Sequence, residues 1–176
     1  MKIALIGYRA TGKSTVGALL SQRLGVAQID TDSAIESRAQ KTVAAIFKED
    51  GEPAFRDLEA QIVAELLDSH DPLVIATGGG VPLRESTRKL MKERAVVVWL
   101  TASVETIARR MLGDAGTASR RPSLTGAASP VDEIERVLSF REPIYRDAAT
   151  LIVDTEGKTV AEIVDEIVAR IPQDRA

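Results

Sequence analysis

Short apolar runs alternate with longer amphipathic stretches along this chain. Residues 3–6, 73–76 and 95–100 are apolar at nearly every position and rich in β-branched side chains. Runs without a polar face are typical of parallel strands that helices cover on both sides. A shorter strand is predicted to end at Ile29, and a last one to cover residues 151–153. The order predicts an α/β fold of three layers, with a five-stranded parallel sheet flanked by helices.

The stretches between the strands have helical spacing. Apolar residues three and four apart form one stripe in residues 160–171 and a longer one in residues 55–67, and we interpret both as core. Three helix starts carry capping signals: Thr159 with Glu162, Ser33 with Glu36, and Ser129 before Pro130.

A glycine-rich stretch, residues 7–15, directly follows the first strand and fits the phosphate-loop pattern G-x-x-x-x-G-K-[ST]. Gly7 and Gly12 allow the loop to curl until successive N–H groups converge on one anion. The helix that follows directs its unpaired amides and its positive dipole end at the same charge. Lys13 is predicted to reach the terminal phosphates of a nucleotide, and Ser14 to ligate Mg²⁺. The strand before and the helix after the loop favour nucleotide binding over an accidental match.

Two further loops are expected at the same edge of the sheet, where ligands of open α/β folds bind. Asp30 and Asp32 follow the second strand, so one carboxylate can face a metal ion and the other an acceptor hydroxyl. The alternative is that either residue only caps the next helix; we favour the functional interpretation for the pair. The glycine triplet at residues 78–80 allows close backbone approach and offers N–H donors to an anion.

Length, charge and composition narrow the class of protein. At 176 residues we expect one domain over residues 1–176. The net charge of −3 and the 3% aromatic content argue against a nucleic-acid partner. No apolar run approaches the ~20 residues that a membrane-spanning helix needs. The absence of cysteine fits a reducing compartment. We therefore expect a cytoplasmic monomer that binds neither nucleic acid nor membrane.

Several arginines along the chain suggest anion binding. Residues 113–129 are glycine-rich and poor in apolar side chains, and we predict a mobile lid there rather than a linker. Arg56 is expected to open a long helix, and the segment 141–145, with Pro143, to interrupt another. An arginine can bind a carboxylate through two parallel hydrogen bonds. Each of these arginines alone would be interpreted as an ordinary surface residue. They indicate an anion site only when they are considered together.

Taken in order, the motifs resemble the shikimate kinases, small members of the nucleoside-monophosphate-kinase-like group of phosphate-loop folds. The resemblance covers nearly the whole chain through residues 7–15, 30–32, Phe55-Arg56 with Glu59, residues 78–80, Arg121-Pro122, and Arg141 with residues 143–145. It implies ATP-dependent phosphorylation of the 3-hydroxyl of shikimate, a step towards chorismate and the aromatic amino acids.

The resemblance also implies a role for each site residue. The catalytic residues would be Lys13, Asp32 and Arg121, with Asp32 accepting the proton of the reacting hydroxyl. ATP would contact Ala10, Thr11, Gly12, Lys13, Ser14, Thr15, Arg110, Arg121 and Lys158. Shikimate would contact Asp32, Arg56, Gly78, Gly79, Gly80 and Arg141, and a helical region at about residues 32–62 would be the substrate-binding region. Ser14 would bind Mg²⁺, with Asp30 assisting through water. Ala10 stands where many family members carry glycine, and we expect alanine to be tolerated.

Sequence features discriminate against three other functions. A GTPase would recognise guanine through an N-K-x-D motif, but the chain contains no asparagine, and its D-x-x-G at residues 154–157 follows the last strand. A kinase for another hydroxy acid, such as gluconate, would share the loop and the lid, so the arginines and the glycine triplet discriminate against it. A nucleotide-binding partner without catalysis is disfavoured because the catalytic residues are present.

Overall fold

A computed structural model describes residues 1–113 and 129–172. The five strands are β1 (Lys2–Ile6), β2 (Ala27–Asp30), β3 (Leu73–Ala76), β4 (Val96–Thr101) and β5 (Leu151–Asp154). The helices of the described residues are α1 (Lys13–Leu24), α2 (Thr31–Ala39), α3 (Val43–Glu49), α4 (Gly51–Asp68), α5 (Glu85–Arg94), α6 (Val104–Gly113), α7 (Pro130–Ala148) and α8 (Val160–Arg170). A short 3₁₀ helix covers Val81–Leu83.

The strands form one parallel sheet in the order β2-β3-β1-β4-β5. All five carboxyl ends therefore lie at one edge, where the phosphate loop follows β1. The predicted fold class is confirmed, with strand boundaries within about one residue of the sequence prediction. The predicted lid at residues 113–129 lies outside the described residues except for its two ends.

Side chains of the central strands alternate between two cores. Leu5 and Val98, which are register partners, pack with α1 and α8 on one face of the sheet. Their neighbours Ile6 and Trp99 point to the other face and pack with residues of α4, α5 and α7. Because both faces are covered, the strands have no polar side, which is the origin of the uniformly apolar runs. The result is the three-layer arrangement.

One capping prediction is wrong and two are confirmed. Asp30 caps α2, since its Oδ1 accepts from the N–H groups of Asp32 at 3.0 Å and Ser33 at 3.4 Å. Ser33 therefore lies inside the helix, which begins at Thr31, and Glu36 instead accepts from the Val43 N–H at 2.9 Å. The extended backbone at the end of β2 places Asp30 as the first available cap. The box of Thr159 with Glu162 and the cap at Ser129 are present.

Two predicted helix boundaries are also wrong. Helix α4 begins at Gly51, so Arg56 lies in its second turn. Helix α7 continues through Pro143 instead of being interrupted there. A proline inside a helix removes one hydrogen bond, but the buried residues Tyr145 and Ala148 beyond it keep the last turns packed on the core. Within the described ranges no helix has the length and apolar character to cross a bilayer.

Candidate active site

The phosphate loop has the backbone that the sequence predicted. Gly7 and Gly12 have φ of 140° and 91°, and a Cβ at Gly7 would lie 2.5 Å from the Leu100 carbonyl oxygen. Lys13 Nζ donates to the carbonyl oxygens of Gly7 at 3.0 Å and Tyr8 at 2.8 Å. The ammonium group is therefore held over the loop, where bound phosphates would lie. Helix α1 begins there without a side-chain cap, so its first amides point at the same space.

Ala10 also adopts the left-handed conformation, with φ of 61°. This conformation costs a residue with a Cβ about 1–2 kcal/mol. Alanine at this position is therefore accommodated by the loop, but under backbone strain that glycine would not carry.

We expect Ala10→Gly to raise the free energy of unfolding by about 0.5–1 kcal/mol, because relief of the strain exceeds the extra freedom of glycine in the unfolded chain. Urea unfolding measures this change. Ala18→Gly is the matched control, since Ala18 is exposed inside α1 and glycine there should cost about 1 kcal/mol. A loss of stability in both variants would contradict strain at Ala10.

Asp30 uses its two carboxylate oxygens for different purposes. Oδ1 caps α2, while Oδ2 accepts a hydrogen bond from Ser14 Oγ at 2.7 Å. The cap and the predicted metal role are therefore compatible. No cluster of three or more histidine, cysteine or acidic side chains that could hold a metal occurs among the described residues. A hydroxyl and one carboxylate nevertheless fit Mg²⁺, which takes few protein ligands and keeps phosphate oxygens and waters.

A cleft of about 1080 Å³ runs from the phosphate loop to the loop after β3. Its walls include nine of the predicted site residues, namely Ala10, Gly12, Lys13, Ser14, Thr15, Asp30, Asp32, Gly78 and Gly79. Thr31, buried between the two aspartates, accepts the Gly78 N–H on its Oγ1 at 2.9 Å. This bond joins the loops after β2 and β3. Sequence reasoning did not assign it, although a threonine between two functional aspartates is a usable signal.

Arg56 lies behind the glycine triplet among carboxylates. Its Nη1 donates to Glu59 Oε2 at 2.8 Å, and its Nε and Nη2 lie 3.3 and 3.2 Å from Glu52 Oε1. Glu59 is only 4% exposed. Burial raises the pKa of Glu59 above its ordinary value, while the adjacent guanidinium opposes that rise. The two glutamates therefore fix the arginine in one orientation.

Helix α7 supplies the second predicted arginine. Arg141 Nη1 donates to the Gly79 carbonyl oxygen at 3.2 Å, and the Tyr145 hydroxyl donates to the same oxygen at 2.6 Å. Burial raises the pKa of Tyr145, so its hydroxyl stays protonated as a donor at neutral pH. A Cβ at Gly80 would lie 2.6 Å from Arg56 Cζ. The glycine triplet thus holds both arginines close to the cleft.

Gly80→Ala tests this close approach. The new methyl group should displace the guanidinium of Arg56 rather than the backbone, and thermal stability should fall because the displaced group no longer pairs fully with the buried Glu59 carboxylate. We expect the KM for the organic acid to rise about 10- to 100-fold, the loss of about 1.5–3 kcal/mol from one hydrogen bond to a charged group, with the KM for the nucleotide unchanged. An equal rise in both KM values would contradict the assignment.

Two of the predicted nucleotide contacts, Arg110 and Lys158, lie in different surroundings. Arg110 Nη1 donates to Thr155 Oγ1 at 3.1 Å and to the Ala10 carbonyl oxygen at 3.4 Å. Lys158 Nζ pairs with Glu166 Oε2 at 2.8 Å on α8. Arg110 therefore lies beside the phosphate loop, whereas Lys158 is engaged at the surface. Arg121 lies outside the described residues.

A parallel sheet of this order, with a phosphate loop after β1, a carboxylate pair after β2 and an arginine-flanked glycine loop after β3, defines a phosphate-loop kinase that acts on a small molecule. The sequence model of shikimate kinase matches residues 9–172. The chain belongs to the shikimate kinase family.

Relatives and solved structures agree with this assignment. The chain is 43% identical over 169 residues to the shikimate kinase of Rhodopirellula baltica, covering 96% of this chain and 89% of that protein. It is 45% identical over 168 residues to that of Thermobifida fusca, covering 96% and 93%. The structure of shikimate kinase from Acinetobacter baumannii in complex with shikimate superimposes with a TM-score of 0.87 at 32% identity, covering 95% of this chain and 90% of that one. The predicted family, enzyme class and function are confirmed.

A gluconokinase from Sinorhizobium meliloti matches more remotely, with a TM-score of 0.59 at 21% identity over 96% of this chain and 89% of that one. A likeness at that level shows the shared fold alone. The alternative of a gluconate kinase therefore receives no support from it.

Proposed function

We propose that the cleft binds ATP along the phosphate loop and shikimate against the arginines, and that the chain transfers the terminal phosphoryl group to the 3-hydroxyl of shikimate. The observation that carries the proposal is the position of Gly79. It lines the same cleft as Lys13, while its carbonyl oxygen accepts from Arg141. A nucleotide and a small organic acid bound to these residues would meet in one space.

On the donor side the chain supplies positive charge and orientation. The amides at the start of α1 and the Lys13 ammonium would hold the phosphate oxygens, since both already point into the loop. Ser14 and Asp30 would hold Mg²⁺, directly and through water respectively. When bound, Mg²⁺ neutralises charge on the phosphate oxygens.

On the acceptor side Asp32 would orient the reacting hydroxyl and take its proton. The hydroxyl oxygen then forms a bond to the terminal phosphorus, the bond from that phosphorus to the bridging oxygen breaks, and ADP leaves. Phosphoryl transfer needs chiefly in-line positioning and charge stabilisation. A carboxylate that lines the same cleft as Lys13 supplies the acceptor half of that arrangement.

Arg56 and Arg141, with Gly78 to Gly80, would hold the carboxylate of shikimate. Their guanidinium groups are oriented by protein contacts before the acid binds, which lowers the entropic cost of recognition. A substrate without the carboxylate would leave the arginines without its hydrogen bonds. We propose on this basis that the site selects an acid over an uncharged polyol.

The remaining assignments extend the same proposal. Residues 1–176 would form one kinase domain, with residues 32–62 as the acid-binding region and residues 113–129 as a lid that brings Arg121 to the ATP phosphates. Arg110, beside the phosphate loop, would contact the adenine end of ATP, and Lys158 would leave Glu166 to do so.

We also propose that the chain works as a monomer in the cytoplasm, without nucleic acid or membrane as a partner. A sequence without cysteine suits a reducing compartment, and the net charge of −3 disfavours contact with a phosphate backbone. Light scattering should give the mass of one chain.

An assay of ADP release tests the function. The purified chain would be given ATP and magnesium with shikimate, quinate or gluconate. We expect turnover with shikimate, and kcat/KM lower by at least about a hundredfold for the other acids, whose rings or chains misplace the hydroxyl or the carboxylate. Comparable rates with gluconate, or ADP release that does not depend on an acid, would contradict the proposal.

A further inference from the structure

Helix α7 contacts both sides of the cleft through one face. Glu133, Val137, Arg141 and Tyr145 are spaced by four residues and so lie along a single stripe. At its far end Arg141 and Tyr145 donate to the Gly79 carbonyl oxygen. The near end of the stripe, Glu133, contacts the phosphate loop.

That near contact is a largely buried ion pair. Arg9 Nη2 donates to Glu133 Oε1 at 2.6 Å, and the two side chains are 14% and 8% exposed. The Arg9 guanidinium also lies over the Tyr8 ring, with Cζ 5.6 Å from the ring centroid. Tyr8 in turn packs against α6 and α7 through Ile107, Ala108, Ile134 and Val137. The tip of the phosphate loop is thereby fixed to α7.

We propose that Arg9 and Glu133 are a positioning pair, which passes the state of the phosphate loop through α7 to Arg141 and so couples nucleotide binding to binding of the acid. The inference rests on the proposed function, since it assigns Arg141 to the substrate carboxylate. Arg9 also borders the cleft, but in this account both residues are positioning residues that act through the helix.

The chemistry of the loop supplies the connection. Lys13 Nζ donates to the carbonyl oxygens of Gly7 and Tyr8. Phosphates bound in the loop would compete for the Lys13 ammonium group. The hydrogen bonds from Lys13 to these two carbonyl oxygens would therefore weaken when a nucleotide binds. The Tyr8 carbonyl belongs to the peptide group that joins Tyr8 to Arg9. A movement of this peptide would therefore move Arg9, and through the ion pair it would move Glu133.

Burial explains why an ion pair suits this role. A buried pair often adds little net stability, because desolvation offsets the attraction between the charges, yet breaking it is costly. Such a pair therefore favours one relative position of two elements over others. Here the two elements are the loop expected to hold ATP and the helix expected to hold the acid.

The test measures how much bound ADP with magnesium tightens shikimate binding, by calorimetric titration of shikimate with and without the nucleotide. ADP is used so that no turnover occurs. For the wild type we expect tightening of about fivefold or more, the lower range of typical coupling between sites. Arg9→Met and Glu133→Gln should each reduce it to nearly none. The double variant should lose no more than either single one.

Arg94→Met is the matched control. Arg94 pairs with Asp68 at 3.0 Å between α5 and α4, away from the phosphate loop, so this variant should keep the full coupling. A purely structural role for Arg9 and Glu133 would lower the thermal unfolding temperature without altering the coupling, and that result overturns the inference. Wild-type chain that binds shikimate equally well with and without ADP overturns it as well. Wild-type chain that binds no shikimate at all instead refutes the proposed function.

Discussion

Replacing Asp32 with asparagine should lower kcat by about 10²–10⁴, the usual contribution of a positioned general base. Asparagine keeps the shape of the side chain but cannot take the proton of the attacking hydroxyl. Asp32 borders the cleft at the start of α2, where Asp30 caps the helix. The substitution therefore leaves the cap of the helix in place. We expect the variant to fold normally and to bind ADP and shikimate close to wild-type strength.

Steady-state kinetics and titration of both ligands separate these effects. Asp68→Asn is the control, since Asp68 is exposed and pairs with Arg94 far from the cleft; it should keep the full rate. If Asp32→Asn retained near-normal turnover, Asp32 would have no part in proton transfer. If nucleotide binding fell as much as turnover, its role would lie in the phosphate site.

The sheet and the phosphate loop were predictable because local sequence determines them. An apolar run followed by two glycines at fixed spacing predicts both the strand β1 and the turn, and Gly7 could not be another residue beside the Leu100 carbonyl. The strand-end position of the aspartates and of the glycine triplet followed from the parallel order alone. These features depend on neighbours in sequence or on a general rule of the fold.

Contacts between distant segments were not predictable in the same way. The bond from Gly78 to Thr31 and the pair of Arg9 with Glu133 join residues 47 and 124 positions apart, and no spacing rule connects them. The capping box at Ser33 failed for a related reason, because the end of β2 determined which residue caps α2. Pro143 was expected to break a helix whose tertiary packing keeps it continuous. In each case packing between elements outweighed the local signal.

Arg141→Lys should raise the KM for shikimate about 10- to 100-fold, with a small effect on the KM for ATP. Lysine keeps the charge but cannot make two parallel hydrogen bonds to a carboxylate, a loss of about 1.5–3 kcal/mol. The contact of Arg141 with the Gly79 carbonyl also requires the reach and the direction of the guanidinium group.

Arg136→Lys is the matched control, because Arg136 is exposed on the same helix and the same change there should leave both KM values as they are. Equal losses for ATP and shikimate in Arg141→Lys would place Arg141 outside the carboxylate site. The variant could instead lose affinity for shikimate alone and still prefer acids over polyols. Arg56 would then be the arginine that still binds the carboxylate. The residual affinity of the variant then measures what one guanidinium contributes without the other.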